Sequence, residues 1–278
     1  MLNDLMLNKD FKLNSNYEKY NLFFQIEHNL VLKEGPCDVR RRSRNISFSQ
    51  AHKKRRIIGN VKSIYNNDKY LVRIVNLENY DKYDYIIEYS LLNIENIKRS
   101  NKFSKQFIDK ILYLPPFVYD INFTFNNERN INILTSYIDV NQPRRKKLFE
   151  KLYRNNILFT NVNNIFEKNK LCEIYDNTKI LINIHQTPYH HTLEEFRLIP
   201  ALSRGVVVIS EIVPMKELLP YHDYIIWTTY DNIIETVKDT IKNYDFYHNK
   251  FFGDKSSLNN ILSDLNNTSL KNIKDKLT

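Results

Sequence analysis

Apolar runs and helically spaced apolar positions alternate along this chain, most clearly in residues 179–211, KILINIHQTPYHHTLEEFRLIPALSRGVVVISE. Ile180 to Ile184 is a largely apolar run ending at His185, and Val206 to Ile209 is a second, rich in β-branched residues. Both predict buried strands. Between them, Leu193, Phe196, Ile199 and Leu202 recur at helical spacing, and Gly205 stands where a helix must stop and turn back. A strand, helix, strand unit makes its two strands parallel neighbours in a covered sheet.

The same alternation extends to either side. Upstream it predicts a strand at 131–138, a helix from Pro143 to Asn155, a strand at ILFTNV (157–162) and a helix around 167–178. Downstream it predicts a strand at 224–228, a helix capped by Asp231 and running to about Tyr244, and a last helix over 255–278 with Leu258, Ile261, Leu262 and Leu265 on one face. The first part of the chain holds strand candidates at NLFFQIEH (21–28) and DYIIEY (84–89), a helix from Ser90 to about Lys110, and a strand ILYL closed by Pro115 and Pro116. A double proline cannot continue a central strand, and the polar, asparagine-rich stretch after it has the composition of a linker. The expected organisation is therefore α/β, with one unit over 1–120 and another over 129–278, each a parallel sheet flanked by helices and the first reduced.

Polar residues gather where the predicted strands end, the edge at which open α/β sheets bind ligands. Asn183 and His185 follow one central strand, Ser210 and Glu211 end the other, and Glu27 and His28 close the first strand of the chain. A carboxylate and an imidazole side by side suit acid–base work, although one such dipeptide is equally an ordinary strand end. Thr192-Leu193-Glu194-Glu195 reads as a capping box, with Thr192 capping the helix and Glu195 reaching back, which leaves Glu194 for function. Pro200 falls inside that helix and removes a backbone donor. His185, His190 and His191 match no standard zinc spacing, so no metal site is expected.

Composition narrows the chemistry. The 278 residues carry a net charge of +9 with pI near 9.2, which suits an acidic partner such as a phosphorylated small molecule, nucleic acid or an anionic membrane surface. Much of that charge lies in DVRRRSRNISFSQAHKKRR (38–56), a phosphate or nucleic-acid patch or simply a solvated basic loop. With only four glycines, no G-x-G-x-x-G fingerprint or Walker-type phosphate loop can be written anywhere. Two cysteines without C-x-x-C spacing suggest neither a disulfide framework nor zinc. No run of about twenty apolar residues and no signal peptide is legible, so a soluble, cytoplasmic protein, at most peripherally membrane-associated, is expected.

Taken in order, these segments resemble the GT-B class of glycosyltransferases. The second half carries Pro143-Arg144-Arg145, Leu152, Lys179-Ile180, Asn183-Ile184-His185, Glu194, Arg197, Gly205 and Val207 through Glu211, in the pattern of small members of that class. FFQIEH, YIIEYSLLNIENI and ILYLPPF in the first half are similar to segments of the same proteins. The resemblance covers most of residues 21 to 240. It implies two Rossmann-like domains facing each other across a cleft, with the final helix free to pack back on the first. A nucleotide-sugar donor would be held mainly by the second domain, and a glycan, lipid or protein acceptor would approach from the first.

In that setting Arg144 and Arg145 suit a diphosphate, whose oxygens a guanidinium fork bonds two at a time, and Arg197 would assist the leaving group. The donor set becomes Arg144, Arg145, Asn183, His185, Glu194, Arg197, Ser210 and Glu211, with Glu27 or His28 as the base and neither cofactor nor metal required. The chain departs from the paired glutamates of many retaining members, since Thr192 and Pro200 stand at the matching positions. Retention by that route is in doubt, and Glu194 or Glu211 would have to take over donor recognition. Two other readings stay open, although nucleic acid is not the partner expected: a nucleic-acid-binding α/β protein using residues 38–56, and a GT-B scaffold that binds without turnover.

Overall fold

The computed structural model describes residues 20–25, 30–32, 58–61, 70–74, 82–101, 103–116, 129–137, 140–165, 167–186 and 192–277. Three sheets are present among them. The first is parallel, in the order β1-β5-β6, from β1 (Leu22–Gln25), β5 (Tyr85–Glu88) and β6 (Ile111–Tyr113). The second, from β2 (Leu30–Leu32), β3 (Ile58–Val61) and β4 (Tyr70–Ile74), is antiparallel in the order β2-β4-β3. The sequence pattern did not predict it.

The third sheet organises the molecule. It is parallel throughout, in the order β11-β10-β9-β7-β8. Its strands are β7 (Ile131–Thr135), β8 (Thr160–Asn161), β9 (Thr178–Asn183), β10 (Val207–Glu211) and β11 (Ile225–Thr228). Every residue of β10 is buried, and so is every residue of β9 except Lys179, as two helix-covered faces demand. Read from β8, the strands succeed one another in the chain as second, first, third, fourth, fifth. The connection reverses direction between β7 and β9, and this switch point is where a doubly wound sheet opens a crevice at its carboxyl edge.

The helices adjust several expectations. The helix expected from Ser90 to Lys110 is two: α1 (Leu91–Ser100) and α2 (Lys105–Asp109). Asn101 ends α1 in the left-handed conformation (φ 54°), and Ser104 starts α2 by accepting from the Phe107 N–H. After β7 comes α3 (Pro143–Arg154), with proline at its first position, and after β8 comes α4 (Lys168–Asp176). The strand expected over 157–162 shrinks to Thr160–Asn161, with the Val162 N–H still donating to the Thr135 carbonyl (2.9 Å) and the Asn161 side chain adding to the pairing. Its Oδ1 accepts from Thr135 Oγ1 (2.9 Å) and the Tyr137 N–H (3.1 Å), and its Nδ2 donates to the Tyr137 carbonyl (3.2 Å).

Between β9 and β10 lies α5 (Glu195–Ser203), which contains Pro200 and hands over to β10 through Gly205 at φ 69°. Asp231 does not cap the helix that follows β11. That helix, α6 (Ile233–Lys242), follows Asn232, whose N–H donates to Thr229 Oγ1. A separate α7 (Tyr244–Phe252) precedes the long α8 (Lys255–Leu277). Leu258 and Leu262 of α8 are fully buried with the third sheet's core, while near its end the Tyr85 hydroxyl of β5 donates to the Lys276 carbonyl (2.9 Å). Leu92 of α1 belongs to the same buried cluster. No helix among the described residues is long and apolar enough to cross a membrane.

Arg129 closes the opposite, amino edge of the third sheet. It is buried and donates to the carbonyls of Tyr175 (2.8 Å), Thr178 (2.5 Å) and Arg204 (2.8 Å), tying together the ends of α4 and α5.

Candidate functional site

The switch point is closed at its floor by a tyrosine. Tyr137, two residues beyond β7, is fully buried, accepts from the Ile184 N–H (3.0 Å) and donates to the Ile182 carbonyl (3.0 Å) at the end of β9. Burial pushes its hydroxyl up to about 12 despite the pull of Arg197, so it stays protonated and keeps donating. The guanidinium carbons of Arg145 and Arg197 lie 4.5 and 5.2 Å from its ring centroid.

From that floor a chain of polar contacts runs along the carboxyl edge. Arg197, from the first turn of α5, donates through Nε to the Ser136 carbonyl (3.0 Å) and through a terminal nitrogen to Asn183 Oδ1 (2.8 Å). Asn183 Nδ2 then donates to Ser210 Oγ (3.0 Å), which joins β9 to β10. Arg144, at the amino end of α3, meets Glu211 through two bonds of 2.8 and 2.7 Å and also donates to the His185 carbonyl (3.0 Å). The His185 N–H donates to Glu211 (2.9 Å), and its Nε2 lies 3.2 Å from the Ile212 carbonyl.

Burial alone would raise the Glu211 carboxyl, but the Arg144 hydrogen bond and the His185 and Arg144 charges outweigh it and hold the group below 4.5. Tyr230, two residues beyond β11, places its ring 4.0 Å from the Arg144 guanidinium and donates its hydroxyl to the Arg144 carbonyl (2.8 Å).

Seven residues singled out from the sequence thus lie on one edge in one connected set: Arg144, Arg145, Asn183, His185, Arg197, Ser210 and Glu211. Glu194 is half-buried immediately before α5. Glu27, His28, His190, His191 and the basic 38–56 segment lie outside the described residues. Among the described residues, no three His, Cys, Asp or Glu side chains gather as metal ligands would. Tyr137 and Tyr230 were missed by the sequence reasoning. Both stand two residues past a strand end, a position signal that the search for charged groups passed over.

The capping box over Thr192–Glu195 does not form. The residue before α5 is Glu194, without a side-chain cap, and Glu195 is fully buried against the first sheet. Its carboxylate accepts from the Leu91 N–H (3.1 Å) and the Tyr113 hydroxyl (3.4 Å), so it satisfies the start of α1 rather than of its own helix. Burial raises this carboxyl from 4.5 to about 7, with Tyr221, Ser90, Leu91 and Tyr113 pulling it back. Glu88, at the carboxyl end of β5, is a second buried carboxyl here. It accepts from the Ser90 N–H (3.0 Å) and Asn93 Nδ2 (3.1 Å), and burial raises it well above its ordinary range.

No protein-family model matches the chain. An uncharacterized protein of Acanthamoeba polyphaga mimivirus is 28% identical over 174 residues, which cover 61% of this chain and 57% of that protein. Among solved structures, TarM matches 98% of this chain over 52% of its own, with TM-score 0.50 and 12% identity. The lipopolysaccharide outer core galactosyltransferase WaaB, in its apo form, matches 66% of this chain over 63% of its own, with TM-score 0.33 and 11% identity. The chain spans a little over half the length of the mimivirus protein and of TarM. The likeness to TarM shows the fold: α/β, with parallel sheets flanked by helices, as in that GT-B glycosyltransferase.

Proposed function

We propose that the protein is a glycosyltransferase that moves a sugar from a nucleotide-diphosphate sugar to an acceptor hydroxyl. The observation that carries this reading is the convergence of Arg144, Arg145 and Arg197 on the carboxyl edge of a doubly wound sheet, at its switch point. Cations so placed suit a diphosphate, which gains negative charge as the bond from its oxygen to the anomeric carbon breaks. Fixed donors aimed at that oxygen lower the barrier. Arginine supplies the countercharge that a metal would otherwise bring, so the reaction is proposed to be metal-independent.

On the acceptor side, the attacking hydroxyl must lose a proton as its oxygen bonds to the anomeric carbon. Glu27 or His28, which follow β1 in the chain, are proposed as the base that takes it, histidine being suited by its ordinary titration near neutrality. The fold supports this division of labour, because the carboxyl ends of β1 and β5 belong to a different sheet from the arginine cluster.

The reading is tested by calorimetry with UDP, GDP, ADP and CMP and their sugars, followed by product analysis with the donor that binds. Saturable binding of one nucleotide series, weakened by Arg144→Ala, supports the site, and turnover supports the enzyme. Binding without turnover on a broad acceptor panel favours a non-catalytic scaffold. No nucleotide binding at all refutes the proposal.

A further inference from the structure

Arg144 is already engaged. Its two terminal nitrogens face Glu211 end to end, at 2.8 and 2.7 Å, with the pair largely shielded from solvent. The Glu211 oxygen that takes the 2.8 Å bond from Arg144 also takes the His185 N–H at 2.9 Å. A carboxylate held by a guanidinium fork and a backbone N–H has the donor set that a phosphate oxygen pair takes. The Tyr230 ring and hydroxyl, and the His185 carbonyl, hold Arg144 in this pose.

Resting on the reading of this edge as a diphosphate site, we propose that Glu211 is a built-in stand-in for the donor's phosphate. It fills the seat at Arg144 and the His185 N–H in the ligand-free protein and is displaced when the nucleotide binds. Binding is then an exchange of anions. A ligand carrying phosphates recovers the contacts that Glu211 gives up, whereas a nucleoside displaces nothing and gains nothing at Arg144. Glu211 thereby determines specificity, setting a threshold that phosphate-bearing ligands pass and uncharged ones do not. Acid does not open the seat in the neutral range, because Glu211 stays ionised there.

The opposite role, in which Glu211 itself grips the donor, predicts the opposite result on mutation. The test is isothermal titration of the full chain with inorganic diphosphate, with each nucleoside diphosphate and with the matching nucleoside. It compares the wild type with E211Q, E211A, R144A and R144A/E211Q, each checked for a cooperative thermal melt. Releasing a charge-assisted pair should tighten diphosphate binding about tenfold in E211Q. E211A should follow if the glutamine variant does not fold. The gain should vanish in the R144A background and be absent for the nucleoside.

Unchanged or weakened diphosphate binding in both Glu211 variants, with the wild type binding and R144A weaker, overturns the stand-in role and leaves the diphosphate site intact. A gain that persists without Arg144 also overturns it. If neither the wild type nor any Glu211 variant binds a diphosphate, the proposed function falls and this inference with it.

Discussion

Replacing Glu195 by glutamine should flatten the dependence of stability on pH between about 5 and 8. Glu195 is fully buried, and its folded-state carboxyl is raised from 4.5 to about 7. The groups around it are the Leu91 N–H and Ser90 at the start of α1, Tyr113 at the end of β6, Tyr221 and, from β5, Glu88. A carboxyl raised on folding holds its proton where the unfolded chain has released it, so the folded state binds more protons and stability falls as pH rises. The contribution is complete below about pH 4.5 and lost as pH passes about 7. At about 1.4 kcal/mol per pKa unit the loss is about 3 kcal/mol, or roughly 6–12 °C in melting temperature for a chain of this size. Glu88 adds a loss of the same sign, so the informative quantity is the difference between wild type and variant. Glutamine keeps an oxygen to accept from the Leu91 N–H and an amide N–H from which the Tyr113 hydroxyl can accept in turn, but it has nothing to ionise. Melting should be followed by circular dichroism at half-unit pH steps. Wild-type and E195Q curves that stay parallel from pH 5 to 8 would refute the reasoning.

Removing Arg144 and Arg145 together (Arg144→Ala, Arg145→Ala) should weaken nucleotide-diphosphate binding about ten- to a hundredfold by calorimetry, since a charge-assisted bond is worth about 1.5–3 kcal/mol. Tyr137→Phe removes a buried hydroxyl that serves both Ile182 and Ile184 and should cost about 1–3 kcal/mol in urea unfolding, with nucleotide affinity lowered as the floor loosens. Arg129→Met leaves three carbonyls without their donor and should cost about 3 kcal/mol in the same assay while binding per folded molecule is unchanged. On an identified acceptor, Glu27→Gln or His28→Ala should lower turnover by about 10²–10⁴ with donor affinity retained, and near-normal turnover in both would place the base elsewhere.

The third sheet was legible because its central strands are covered on both faces and therefore read as near-continuous apolar runs, as at Ile180 to Ile184, broken only by Asn183, and Val206 to Ile209. The turn at Gly205 was legible for a local reason, since its φ of 69° suits glycine. The antiparallel sheet was not, because LVL, IGNV and YLVRI are short and carry no sustained alternation. Glu195 was misread because the capping rule sees only four neighbouring residues. The winning contacts, to Leu91 and Tyr113, come from positions 104 and 82 residues away in the chain. The partnership of Arg144 with Glu211, 67 residues apart, was hidden for the same reason. The sequence marked both as ligand groups and gave no sign that each is the other's partner.

The shortage of glycine connects these observations. No glycine lies between β7 and α3 or between β9 and α5, the two connections that flank the switch point. A chain without glycine there lacks the residues with which a glycine-rich loop brings successive backbone N–H groups around a phosphate. Positive charge must come from side chains instead, and a partly buried guanidinium needs partners before any ligand arrives. Each arginine at the edge has them: Ser136 and Asn183 for Arg197, the Tyr137 ring for Arg145, and Glu211 for Arg144. The arginines of the site are thus already engaged within the protein. Its affinity for a diphosphate is a difference between two sets of charge-assisted bonds, and the Arg144–Glu211 pair is where that difference is set.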